Sequence, residues 1–259
     1  MTLAGRVAVV TGGSSGIGFA IAGVLARGGA QVVLAARDRN RLEQARTRLT
    51  VERAVLTVET DTADQAKVDA LVADVIDRCG RIDLLVNCAA NANGVAGLIE
   101  NLDSAALLRD LDVKVVGYAR AIKAVTPTMK RQRGGRIICI GGFTGKTSDT
   151  LSGMRNAAVS HLCKTVSDQL GPFGITVNAV HPGIVRSSHL DELFERHAGE
   201  RGVSASTVEA EFVAETPLRR TLSPEEIGDA VAFLASDAAA GITGQSITID
   251  GGLVRGIYL

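Results

Sequence analysis

Thr11-Gly12-Gly13-Ser14-Ser15-Gly16-Ile17-Gly18 directly follows the apolar run Val7-Ala8-Val9-Val10 and leads into Phe19 to Leu25. The order reads as strand, tight glycine turn and helix start. Glycines in that setting let the backbone turn sharply and come close to a pyrophosphate, which sits on the unpaired N–H groups and positive dipole end of the helix. The stretch therefore predicts a dinucleotide-binding unit, with Gly12, Ser14, Ser15, Gly16, Ile17 and Gly18 as phosphate-side contacts.

Working outward, the 259 residues are 46% hydrophobic, enough to bury one substantial core, and strand patterns alternate with helix patterns throughout. No linker or repeat divides the chain. We expect an α/β fold, a single Rossmann-like domain over 1–259 with a doubly wound parallel sheet flanked by helices. The 28 basic and 28 acidic residues cancel and are dispersed, so no nucleic-acid patch or acidic tail is indicated. The amino terminus enters the first strand almost at once, and no apolar run approaches the roughly 18 residues of a membrane span. A cytoplasmic protein that does not engage a membrane is the expectation. Cys79, Cys88, Cys139 and Cys163 lack metal or redox spacing and read as reduced packing residues; the four histidines form no ligand cluster, so no metal is expected.

Further motifs recur in order along the chain. Leu3-Ala4-Gly5-Arg6 leads into the first strand, Asp61-Thr62 closes the third, and Asn87-Cys88-Ala89-Ala90 follows the fourth, Ile82 to Val86. Then come Gly174-Ile175-Thr176-Val177-Asn178, His181-Pro182-Gly183-Ile184-Val185-Arg186-Ser187, Pro224-Glu225-Glu226-Ile227, and Gly244 through Asp250-Gly251-Gly252. With the glycine turn, this series resembles the short-chain dehydrogenase/reductase family nearly end to end. The resemblance implies a nicotinamide cofactor held also by Asp61, Thr62, Asn87, Ala89, Pro182, Gly183, Val185 and Ser187. It further implies a small-molecule substrate under a lid over 187–216. Subunits would pair through Leu107 to Val125 and Ala157 to Leu170, with Leu253 to Leu259 as a possible second interface; a homotetramer is expected, with a dimer as the alternative.

Cofactor preference is read at the end of the second strand, Gln31 to Ala36. An NAD enzyme of this architecture places a carboxylate roughly 20 residues beyond the glycine turn to bond the ribose 2′-hydroxyl. Here that position is Ala36, followed by Arg37. Loss of the carboxylate removes repulsion against a 2′-phosphate, and a guanidinium can clamp that phosphate. NADP(H) is favoured; Asp38 keeps NAD possible, and Arg37 read with Arg39 and Arg41 also suits a solvated helix start.

The family's chemistry uses a tyrosine as proton donor, a lysine four residues on, a serine and a helix asparagine. Phenol, with a pKa of about 10, works near neutrality only when a nearby cation stabilises its phenolate. The serine position holds Gly142. Registering the next helix backward from Gly174 without a gap puts Ser152 at the tyrosine and Asn156 at the lysine; a longer loop gives Arg155 and Val159 instead. The asparagine position holds Lys114. The two tyrosines, Tyr118 and Tyr258, have no lysine four residues on. Ser160 and Lys164 have the spacing but lie further along a core helix. Lys114, with Ser152 and Asn156 as neutral hydrogen-bonding partners, is therefore the candidate catalytic set; snorkelling of Lys114 to solvent is the plainer reading. Two functions stay open: an NADP(H)-dependent oxidoreductase interconverting an alcohol and a ketone or aldehyde through a non-standard site, or a catalytically silent NAD(P)-binding homologue acting as sensor or oligomer partner.

Overall fold

Residues 2–51, 55–91, 95, 98–147 and 150–256 are described by the computed structural model, with His189 described for its backbone alone. Tyr258 and the end of the apolar 253–259 run lie outside them. Among the described residues seven strands form one sheet: β1 (Val7–Thr11), β2 (Gln31–Ala36), β3 (Leu56–Glu59), β4 (Leu84–Asn87), β5 (Gly135–Ile140), β6 (Ile175–Pro182) and β7 (Ser246–Ile249). The order is β3-β2-β1-β4-β5-β6-β7, parallel throughout. Helices cover both faces, so β1, β4, β5 and β6 are buried along their whole length and are mostly apolar, with Arg136, Thr176, Asn178 and His181 among the buried polar exceptions.

Successive residues alternate between two cores. Ala8 and Val10 pack toward α1 (Gly16–Arg27) and α9 (Pro224–Ala235), meeting Ile21, Leu25, Ile227 and Val231. Val7 and Val9 face α3 (Gln65–Cys79), α5 (Gly117–Gln132) and α6 (Gly153–Leu170), meeting Leu71, Val75, Ile122 and Val159. Each Val, Leu or Ile among them contributes about 1.5–3 kcal/mol on full burial. Between β2 and β3 lies α2 (Arg39–Arg48), and after β4 comes α4 (Ser104–Leu111). A π-turn, Asp112–Val116, joins α4 to α5.

The sheet departs from the sequence expectation at two edges. Asp61-Thr62 does not close the third strand; β3 ends at Glu59, because the Asp61 carboxylate accepts the Ala63 N–H at 3.0 Å and turns the chain away. The fourth strand starts at Leu84 rather than Ile82, whose N–H is taken by the Gln132 side chain at 3.1 Å. The helix expected across Leu107 to Val125 is instead two α-segments around the π-turn.

Chain order reverses between β1 and β4, whose carboxyl ends are level: Thr11 pairs in register with Asn87. Ligands of open parallel sheets bind outside the carboxyl edge at this switch point.

Candidate active site and cofactor cradle

The glycine turn is compressed onto its neighbours. Thr11 Oγ1 accepts the N–H groups of Cys88 at 3.1 Å and Ala89 at 3.3 Å, drawing the loop after β4 against the turn. A Cβ on Gly12 (φ +68°) would stand 2.9 Å from the Ala89 backbone, and one on Gly18 would strike the Gly12 carbonyl. Only glycine fits either place. Ser15 is the N-cap of α1 but makes no side-chain cap bond, whereas Asp38 and Asp64 cap α2 and α3. The leading amides of α1 are thus left as donors at the carboxyl edge, beside Ser14, Gly16 and Ile17. This cradle fits a pyrophosphate.

At the end of β2, Arg37 is exposed and makes no ion pair or hydrogen bond among the described residues. Asp38 is committed: its carboxylate accepts the Arg41 N–H at 3.0 Å and lies 3.6 Å from the Arg41 guanidinium. Both residues are exposed, but the carboxylate is engaged by α2 while the Arg37 guanidinium is left as an unpaired cation at the end of β2.

Other expected contacts lie along the same edge. Thr62 is buried, donating to the Val113 carbonyl at 3.4 Å. Asn87 is fully buried at the end of β4, its amide 3.5 Å from Cys139 Sγ and its Oδ1 without a partner among the described residues. Pro182 ends β6; Gly183 N donates to the Ile249 carbonyl at 2.9 Å, and Val185 bridges to Leu222. Ser187 is engaged as the N-cap of α7 (Ser188–Arg201), accepting the Leu190 N–H at 3.2 Å. With α8 (Ala205–Phe212), α7 forms a small separate core of Phe194, Ala198 and Val208, fastened by Arg186 to Glu209 at 2.6 Å.

The chemistry-bearing candidates meet past the end of β5. Lys114, midway along the π-turn, is 5% exposed and its Nζ donates to the Gly141 carbonyl at 2.9 Å. Burial, reinforced by the Arg155 guanidinium, pulls its ammonium down from 10.5 to about 8. Snorkelling to solvent is excluded by that geometry. Asn156 donates to Thr144 Oγ1 at 2.8 Å, and its buried Oδ1 has no partner among the described residues. A Cβ on Gly142 would stand 2.8 Å from the Asn156 amide nitrogen. Ser152 does not turn to Lys114: its Oγ donates to the Val95 carbonyl at 3.0 Å. Tyr118 is fully buried and donates to the Ile140 carbonyl at 3.0 Å, with burial raising its phenol well above the ordinary value.

Sequence reading did not anticipate two buried constellations. His181 bridges Ser160 Oγ, 2.8 Å from Nε2, and the Gly142 backbone, 3.0–3.2 Å from Nδ1; desolvation holds it neutral, down to about 4. Ser160 is thereby separated from Lys164, which pairs with Asp168. Asp110 forms an ion pair with Arg155. The only sequence hint of it was Arg155 at the alternative tyrosine register. Among the described residues no three His, Cys, Asp or Glu side chains gather to hold a metal, and no helix is long and apolar enough to cross a membrane.

A family model described as enoyl-(acyl carrier protein) reductase matches residues 12–254. The chain is 32% identical over 258 residues to the NADPH-dependent reductase BacG of Bacillus subtilis, covering 97% of this chain and 99% of that one. It is 34% identical over 250 residues to cis-4-hydroxycyclohexanecarboxylate dehydrogenase of Sinomonas cyclohexanicum, covering 95% and 96%. The solved structure of L-sorbose reductase from Gluconobacter frateurii, complexed with NADPH and L-sorbose, superposes with a TM-score of 0.92 at 29% identity over 99% of each chain. The chain belongs to the short-chain dehydrogenase/reductase family.

Proposed function

We propose that this protein is an NADP(H)-dependent oxidoreductase that interconverts a small-molecule alcohol with its ketone or aldehyde, using Lys114 in place of the family's tyrosine. Cofactor choice is supported by the unpaired Arg37, the committed Asp38, and the NADPH named for BacG and for the L-sorbose reductase complex. The amides leading α1 hold the pyrophosphate, with Asp61, Thr62, Asn87, Ala89, Pro182, Gly183 and Val185 along the rest of the cofactor.

The observation that carries the catalytic reading is the buried Lys114 ammonium at the carboxyl edge, with one of its three donors on Gly141 and the other two free among the described residues. NADPH, when bound, supplies a hydride to the carbonyl carbon. Lys114 gives the proton to the carbonyl oxygen and is left as a neutral amine, which solvent reprotonates. A donor titrating at about 8 is matched to that task, where an ordinary lysine is too weak an acid. The free Oδ1 of Asn156 accepts a hydroxyl hydrogen from cofactor or substrate, and Ser152 holds the neighbouring loop through Val95. Residues 187–216 form the lid.

Exposed Leu108 and Val116 on the α4–α5 segment and Met154 on α6 support burial against a second copy, in a homotetramer. Unpaired cysteines at 79, 88, 139 and 163 support a reducing, cytoplasmic setting.

The test combines a carbonyl panel with NADPH titration. In Lys114→Met, reduction falls on the order of 10²–10⁴-fold while NADPH affinity stays within a few-fold. Full activity in the variant refutes the role; tight NADPH binding with no turnover in the parent assigns the chain to the silent, cofactor-binding class.

A further inference from the structure

Asp110 lies in the last turn of α4, four residues before Lys114, and is 2% exposed. Its partner Arg155 comes from the first turn of α6 with its side chain 12% exposed, and also reaches the Asn91 carbonyl at 3.4 Å. The contact is end-on: Asp110 Oδ2 and Arg155 Nε have no partners among the described residues. Two charges buried at this depth without a full set of hydrogen bonds are costly to the fold, and a well-packed apolar pair would serve stability as well. Stability alone does not account for the pair.

Its neighbour does. A lone buried carboxylate at Asp110 would attract the ammonium four residues on, drawing Nζ away from Gly141. Arg155 occupies the carboxylate and leaves Lys114 to the carbonyl at the edge of β5. We propose that the Asp110–Arg155 ion pair is a positioning pair for Lys114, which fixes the π-turn against α6 and sets the charges against which the ammonium exchanges its proton. This rests on the reading of Lys114 as proton donor. The other titratable groups around Lys114 are Cys88 after β4, Cys139 on β5 and His181 on β6, with Lys146 acting on His181. Cys88, raised by burial to about 11, and His181, lowered to about 4, are neutral near pH 8. Asp110 and Arg155 are thus the charges that face Lys114 in the range where it titrates.

The test titrates Lys114 directly, by ¹³C NMR of lysine-labelled full-length protein, the resonance being the one lost in Lys114→Met, and runs pH profiles of carbonyl reduction alongside. In Arg155→Met the repelling cation goes and Asp110 is freed, so the Lys114 midpoint rises by about one pH unit. In Asp110→Asn the unpaired guanidinium remains and the midpoint falls by a similar amount. Because the donor must be protonated, the alkaline limb of reduction moves with the midpoint: up in the first, down in the second. Asp110→Asn/Arg155→Gln, which keeps a neutral hydrogen bond, falls between them and preserves the comparison if a single variant does not fold. Opposite shifts support the proposal. Midpoints that stay put, or move the same way in both single variants, overturn it while leaving Lys114 as donor. Opposite midpoint shifts with a reduction rate indifferent to Lys114→Met instead sink the proton-donor reading and leave the pair's control of Lys114 intact.

Discussion

Arg37 shows how much a single residue settles when its neighbour is engaged. Asp38 follows it directly and, on sequence alone, was able to bond a ribose hydroxyl; its carboxylate is instead used to cap α2. On the proposed reading, cofactor choice then falls on the guanidinium. NADPH should bind more tightly than NADH, and Arg37→Ala should erase most of the gap, a loss of about 1.5–3 kcal/mol for one charge-assisted contact. Parallel fluorescence titrations of both cofactors check this, and equal affinities in the parent protein would refute it. Asp38 was ambiguous in the sequence because capping and ribose binding call for the same residue type at nearly the same place.

At the scale of elements, the chemistry proposed for this chain sits at the junction of β5 with α6. Gly142 is extended, so any residue suits its backbone, yet a Cβ there runs into the Asn156 amide. The two positions are coupled by space. Gly142→Ser alone should cost about 1–3 kcal/mol in urea unfolding, the usual penalty of overpacking. With Asn156→Ala added, the double variant should be less destabilised than the sum of the singles; simple additivity would show that the contact is not felt. The strand and glycine-turn elements were legible because each is a local signal of period and turn chemistry. The π-turn was not, since its residues Asp112-Val113-Lys114-Val115-Val116 satisfy an ordinary helix pattern equally well.

Across the whole molecule, what escaped sequence reading was long-range pairing. The doubly wound parallel sheet was legible from the alternating elements and the family resemblance, but nothing in the chain announced that Asp110 meets Arg155, 45 residues away, or that His181 bridges Ser160 to the Gly142 backbone. Such contacts arise only once α4 and α6 are packed over the sheet edge. Packing also leaves Leu108, 67% exposed on α4, and Val116, 43% exposed in the π-turn, on the outer side of the α4–α5 segment. Light scattering at micromolar concentration should give the mass of a tetramer, and Leu108→Glu with Val116→Glu should lower it; a monomeric mass in the parent protein would refute assembly through this face.

The π-turn between α4 and α5 holds one residue more than an α-helix needs there. A single surplus residue inside an α-helix is the same thing, genetically, as one inserted codon, and it is undone by removing one. Deleting Val115 would let α4 and α5 run on as an uninterrupted α-helix, the flanking turns keeping their faces while the bulge that carries Lys114 is drawn back into the ordinary hydrogen-bond ladder. Lys114 would leave the Gly141 carbonyl while Asp110, in α4 before the turn, stayed against Arg155. The distance between this site and one with no ammonium in it is thus a single three-nucleotide deletion, reached without changing any side chain that remains.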